Sequence, residues 1–243
     1  MLEAAIKASV INYWIGAGEF QVGKDSIAIP EYVVDDFSAR ADLSLVNGCL
    51  TAIEIKSDSD SLDRLPSQLQ TYTKCFHKVS VVCGPKHTHK VLGMIPRRVG
   101  VAEISAGGQL IWVREPQRRH VTKAGLLPHL LRDELAMLAR KASITTGGMT
   151  RSKLERVLVA TYTRDELCDE VLLCLKNRFN NWFAGVRGML SNPIDSRAVE
   201  SFPRRTAVSP VADIRQHDVS SEKYPSPKFV IGRNGKRIPL PNL

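Results

Sequence analysis

The chain has 243 residues, room for one large domain or a domain with an appendage. Its hydrophobic fraction of 43% is ordinary for a globular protein, and no apolar run nears the roughly 20 residues a bilayer-spanning helix needs. The formal net charge of +9 favours polyanionic partners, nucleic acid first.

The start, "MLEAAIKASVINYW", has Glu3 close to its beginning and no small-residue cleavage site. It reads as a folded helix and not as a signal peptide, with Leu2, Ile6, Val10 and Trp14 as its core stripe. That implies a cytoplasmic protein. "IAIPEYVV" (27–34) is β-branched, and Pro30 directs it to an edge or a bulge. "ADLSLV" (41–46) and "LTAIEIK" (50–56) are two strands around Asn47-Gly48, a strong hairpin signal.

The period then changes. Leu62, Leu65, Leu69, Tyr72 and Phe76 recur at helical spacing, with Pro66 in the first turn, where its missing N–H costs nothing. "KVSVVC" (78–83) is a short apolar strand of the kind buried on both faces. "HTHKVLGMI" follows as a short helix, then "VGVAEI" and "LIWVRE" as strands. "AGLLPHLLRDELAMLARK" is helical with Pro128 early or at a kink. Two more helices start at capping-box patterns, Ser152 to Glu155 and Thr163 to Glu166. Beyond about Gly185 seven prolines sit among serines and arginines, and the stretch reads as a basic disordered tail. A small hairpin on Asn234-Gly235 is the one element expected there. Five scattered cysteines without a CxxC pair read as reduced thiols. His87 and His89, two apart, lack a third ligand and read as surface, with Lys86 beside them as a phosphate contact.

The first hairpin sets charges among apolar residues, so its register matters. A strict two-residue loop would put Glu54 opposite the face of Asp42 and mix Leu43 and Leu45 with Glu54 and Lys56. A three-residue loop, Asn47-Gly48-Cys49, pairs Val46 with Leu50 and Leu43 with Ile53. It gathers Asp42, Glu54 and Lys56 on one face. Burying a charge among leucines costs several kcal/mol, which selects the three-residue loop. Two carboxylates brought that close repel unless a cation holds them. Lys56 is one such cation, and Mg²⁺ or Mn²⁺ is the better fit to carboxylate oxygens. The plain alternative is a solvated polar face.

Asp42, then Glu54-Ile55-Lys56, on consecutive strands after a helix, resembles the PD-(D/E)XK nuclease superfamily. Gln68-x-x-x-Tyr72 is similar to the Q-x-x-x-Y element of its RecB-like branch, and the run from Arg40 through His87 looks like a group of bacterial RecB-like proteins. Ala41 stands where the superfamily's name has proline. The resemblance implies a restriction-endonuclease-like core, a mixed central sheet flanked by helices in the order αβββαβ. It implies a metal-dependent nuclease, a hydrolase acting on DNA. Asp42, Glu54 and the Ile55 carbonyl would hold the metal and Lys56 would complete the catalytic set. Gln68, Tyr72 and an early acid, Glu31 or Glu3, would support it, and Arg40, Arg64 and Lys86 would contact nucleic acid. Arg40 has a second use open to it, pairing with Asp58 or Asp60.

The domains expected are residues 1–118 as the α/β core, 119–185 as a helical appendage and 186–243 as the tail. A rival reading is a non-catalytic nucleic-acid-binding or scaffold protein. In it the helical part acts as a helix-turn-helix-like reader with Arg151, Lys153, Arg156, Lys176 and Arg178 on phosphates. Against that stands an ordinary helical pair covering the sheet.

Overall fold

The computed structural model describes residues 3–20, 26–34, 39–186, 193–200, 229–231 and 237–239. Helix α1 (Glu3–Gly16) buries Ile6, Val10 and Trp14 of the expected stripe, together with Ile11 and Lys7, while Leu2 lies outside the described residues. It ends at Gly18, whose φ of +72° is open to glycine at little cost.

Six strands follow the order of the chain across one sheet: β1 (Ile27–Val34), β2 (Ala39–Val46), β3 (Leu50–Lys56), β4 (Lys78–Cys83), β5 (Gly100–Ile104) and β6 (Leu110–Arg114). β1, β2 and β3 are antiparallel neighbours joined by short links. β3–β4 and β4–β5 are parallel, and a parallel link needs a crossover. Helices α2 (Leu65–Cys75) and α3 (Pro85–Met94) supply the two crossovers. β6 returns antiparallel to β5. All seven residues of β3 are buried, Glu54 and Lys56 included. Pro30 sits on β1, an edge strand, where the ladder has least need of its missing N–H.

The rest of the sheet unit is helical. Residues 123–129 form a short helix, α4 (Lys123–Leu126), and a 3₁₀ turn (Leu127–His129) that contains Pro128. The expected single helix is therefore broken there. Tyr32, Phe76 and His129 pack as rings, with His129 stacked on Tyr32 at 5.7 Å. Helix α7 (Arg164–Val186) opens on the predicted capping box, Thr163 N–H donating to Glu166 Oε2 at 2.7 Å. It packs on β1 and β2, with Leu167, Val171 and Leu175 fully buried. Within the stretch expected as tail, residues 193–200 are described and dock on α1. Asn12 bonds the Ile194 carbonyl and N–H at 2.8 Å each, and a short helix α8 (Ser196–Glu200) buries Ala198 and Val199.

By its contacts the chain forms two compact units, residues 1–130 with 163–208 and residues 131–162 with 209–243. The second holds α5 (Arg132–Lys141) and α6 (Arg151–Thr161). Thr150 caps α6, its side chain accepting from Lys153 N–H, so the predicted cap at Ser152 lies two residues inside the helix. Two short strands, β7 (Phe229–Ile231) and β8 (Arg237–Pro239), pair antiparallel as the expected hairpin, while its turn at Asn234-Gly235 lies outside the described residues. So do most of residues 201–243, where the disordered tail was expected. The architecture is a mixed α/β sheet flanked by helices with a C-terminal helical extension. No helix among the described residues is long and apolar enough to cross a membrane.

Candidate functional site

The β2–β3 register is the one the apolar pattern selects, with Leu43↔Ile53, Leu45↔Thr51 and Val46↔Leu50. Asn47 N–H donates to the Cys49 carbonyl at 3.2 Å and closes a three-residue loop. Leu43, Leu45 and Ile53 are at most 1% exposed, each burial stabilising by about 1.5–3 kcal/mol. Their packing holds the charged residues to the other face.

On that face Glu54 is 1% exposed and both its carboxylate oxygens are engaged. Lys56 Nζ donates to Oε1 at 2.7 Å and the Tyr72 hydroxyl reaches Oε2 at 2.9 Å. Lys56 also donates to Gln68 Oε1 at 3.3 Å, so Gln68 and Tyr72, one helical turn apart on α2, meet the same pair. The Tyr72 hydroxyl lies 2.6 Å from the Arg40 carbonyl as well. Burial, then the Glu54 charge, pushes the Tyr72 phenol well above its ordinary value. Asp42 Oδ2 accepts from the Ile55 N–H at 2.6 Å. Burial raises the Asp42 pKa to about 7, the Glu54 charge adds to it, and the Ile55 N–H opposes both. Ile55 thus meets Asp42 through its N–H.

The acid cluster lies on the other side of Asp42. Carboxylate oxygens of Glu3, Glu31 and Asp42 come within 4.8 Å of one another. Both proposed early acids are present, Glu3 from α1 and Glu31 from β1. Lys7 Nζ bridges them, 2.6 Å from Glu3 Oε1 and in contact with Glu31 Oε1. Burial lowers the Lys7 pKa, but hydrogen bonds to Glu3 and Glu31 outweigh it and the net direction is up. Arg40 Nε pairs with Glu31 Oε2 at 3.0 Å, not with Asp58 or Asp60. Glu31 has φ +53°, a conformation rare for a long side chain, and it is held by these two cations. Lys7 escaped the sequence reading. Its signal was the i, i+4 spacing from Glu3, beside a stripe that otherwise reads as core.

The donor set does not fit a divalent ion held by Asp42 and Glu54. Glu54 has both oxygens committed, and Lys7, Lys56 and Arg40 already supply cations among the carboxylates. The arrangement is an internally neutralised ion network. It ties α1, β1, β2, β3 and α2 together under a cleft of about 880 Å³. Arg64 lines that cleft and is exposed. Lys86 lies apart from the network, exposed and donating to the Asp58 carbonyl at 3.2 Å. His87 is buried and His89 exposed on α3, so they do not share a face.

The second unit has a different chemistry. Residues 131–162 hold six Lys/Arg against three Asp/Glu. The acids are spent locally. Glu134 accepts from Leu131 N–H at 2.7 Å, Asp133 lies 3.7 Å from Arg132, and Glu155 pairs with Arg151 at 2.7 Å. α5 packs against α6 around Leu135, Leu138, Leu154 and Leu158. Lys153 and Arg156, at i and i+3, are exposed on one face of α6.

The sheet unit thus carries a network of mutually paired charges, and residues 131–162 carry a basic helical pair. The chain belongs to the family described as Bacteriophage P4 protein cII, which matches residues 1–192. Protein cII of Enterobacteria phage P4 is 31% identical over 211 residues, covering 84% of this chain and 79% of that protein. A solved structure, the SPO1766 protein of unknown function from Silicibacter pomeroyi, aligns over 60% of this chain and 92% of its own, with a TM-score of 0.40 and 16% identity.

The family corrects the expected membership of the PD-(D/E)XK superfamily and its RecB-like branch. With that membership go the metal-dependent nuclease activity, the hydrolase and endonuclease description and the Mg²⁺ or Mn²⁺ cofactor. The physical reason is in the network. Glu54, Lys56, Gln68 and Tyr72 converge and satisfy one another, and Asp42 beside them accepts from the Ile55 N–H.

Proposed function

We propose that this protein binds nucleic acid, duplex DNA first, without cleaving it, and that the α5–α6 pair is an interface. The observation that carries the reading is the exposed Lys153 and Arg156 on α6, in a stretch, residues 131–162, whose three acids are already paired or capping. Cations left without a carboxylate partner are what a phosphate backbone neutralises, with release of its counterions. The net charge of +9 supports the same partner. The αβββαβ core is then a restriction-endonuclease-like arrangement put to a use other than cleavage. The test is a mobility-shift titration of the full chain with a short labelled duplex at low salt, beside Lys153→Glu/Arg156→Glu. The double variant should bind at least about tenfold more weakly with its melting temperature unchanged. Equal binding by the two proteins removes α6 from the interface.

A further inference from the structure

We infer that the sheet unit carries a second polyanion surface, the arginine cluster of Arg97, Arg98, Arg114, Arg118 and Arg119, and that it grips the phosphodiester backbone of a nucleic acid. The inference rests on the proposed nucleic-acid reading and adds a separate site to it. Three segments build the cluster: the turn after α3, the end of β6, and the extended stretch that follows β6. Gln117 N–H donates to the Arg98 carbonyl at 3.1 Å, which lays that stretch against the turn. Arg119 N–H donates to the His77 carbonyl at 2.9 Å and fixes its far end.

Two of the five guanidinium groups are anchored by main-chain carbonyls. Arg114 Nε donates to Val99 O at 2.9 Å, and Arg119 Nη1 donates to Thr73 O at 3.2 Å. Arg119 Nε and Nη2 are covered and meet no acceptor among the described residues. Arg97, Arg98 and Arg118 are exposed. None of the five forms an ion pair with a carboxylate among the described residues. The charge that bears on Arg114, and the one that bears on Arg119, is in each case another arginine. Burial and then Arg97 lower the Arg114 pKa, and burial and then Arg98 lower that of Arg119. Arg118, Arg164 and His120 likewise add to burial in holding the His77 pKa down to about 4. The acid nearest in sequence, Glu115, is exposed, and Asp165 is taken by Arg164.

Like charges gathered and then fixed by backbone contacts cost free energy in the unbound protein. An anion with several charges at regular spacing recovers that cost. Guanidinium groups suit phosphate because their paired N–H donors match its oxygens. Anchoring Arg114 and Arg119 before binding lowers the ordering penalty of the encounter.

The test uses the full chain, a fluorescent duplex and a fluorescent single strand, with affinity followed against KCl. Arg97→Gln/Arg98→Gln/Arg118→Gln removes only exposed charges, so its melting temperature should match the parent. Its plot of log affinity against log salt on the duplex should be shallower by about 2–3 units. Low-salt affinity should fall about tenfold or more, equally for unrelated sequences. Arg118→Gln alone should lower the slope by about one unit. If the parent binds and both variants keep its slope and affinity, the cluster is not a phosphate site, while the reading of α6 stands. If the parent binds anionic vesicles or polyglutamate but neither oligonucleotide, the nucleic-acid reading and this inference both fall.

Discussion

Glu54 and Lys56 are buried as a pair, and such a pair is most costly when halved. Lys56→Met should destabilise the protein by about 3–5 kcal/mol, because it leaves a buried carboxylate with only Tyr72. Adding Glu54→Gln to it should recover most of that loss, and chemical denaturation of the four proteins of this cycle measures it. Additive losses would mean that the two side chains do not depend on each other. Asp42 gives a pH signature. Its pKa is raised on folding, so its stabilising contribution is full below its ordinary value and is lost as pH rises through about 7. Asp42→Asn keeps an acceptor for the Ile55 N–H and removes the titration. Its gain in melting temperature over the parent should therefore grow from pH 5 to pH 8, and a constant difference would contradict the account. His129 runs the other way. Burial lowers its pKa to about 4, so its contribution is present above the ordinary histidine value and is lost as pH falls toward 4. At this scale much of the site was legible. The apolar face of a hairpin admits one register, and that register puts Asp42, Glu54 and Lys56 together. What the residues do there was not legible, since the satisfaction of Glu54 depends on Tyr72 arriving from α2, and Lys7 is placed by the packing of α1.

Elements of this sheet follow from local rules, and two glycines separate those rules. Gly48 has φ +89°, and a Cβ there would meet nothing within 4 Å. Gly48→Ala should cost about 1 kcal/mol, all of it backbone strain in the hairpin loop. Gly125 lies where α4 crosses α2, and a Cβ there would stand 2.2 Å from the Lys74 carbonyl oxygen. Gly125→Ala must move main chain and should cost more than the Gly48 change, by about 2 kcal/mol or more. Thermal denaturation of the two variants side by side checks the order, and a Gly125→Ala protein as stable as Gly48→Ala would contradict it. Strand and helix periods were read correctly from β1 to β6 because each apolar run there has one face or one length that suits it. The affiliation of helices was harder to see. The Leu167, Val171 and Leu175 stripe of α7 looks like any amphipathic stripe, and only packing assigns it to β1 and β2. The α6 cap was misplaced because Thr150 and Ser152 are both good cap residues, and the loop before the helix chooses between them.

For the whole molecule, a short ordered series of charged residues carried the nuclease expectation, and the family match over residues 1–192 outweighs it. The same spacing serves a hairpin whose acid and lysine pair with each other, as Glu54 and Lys56 do. The charge of the chain is the more durable guide. More than half of its positive excess lies after Gly185, and among the described residues exposed cations gather on α6 and on the arginine cluster. The most direct measurement is fluorescence anisotropy of a labelled duplex titrated with the full chain across a series of KCl concentrations, with Mg²⁺ present and the duplex recovered afterwards. The account predicts binding whose log affinity falls linearly with log salt, and a duplex recovered intact. No binding at low salt, or a duplex that is cut, would contradict it.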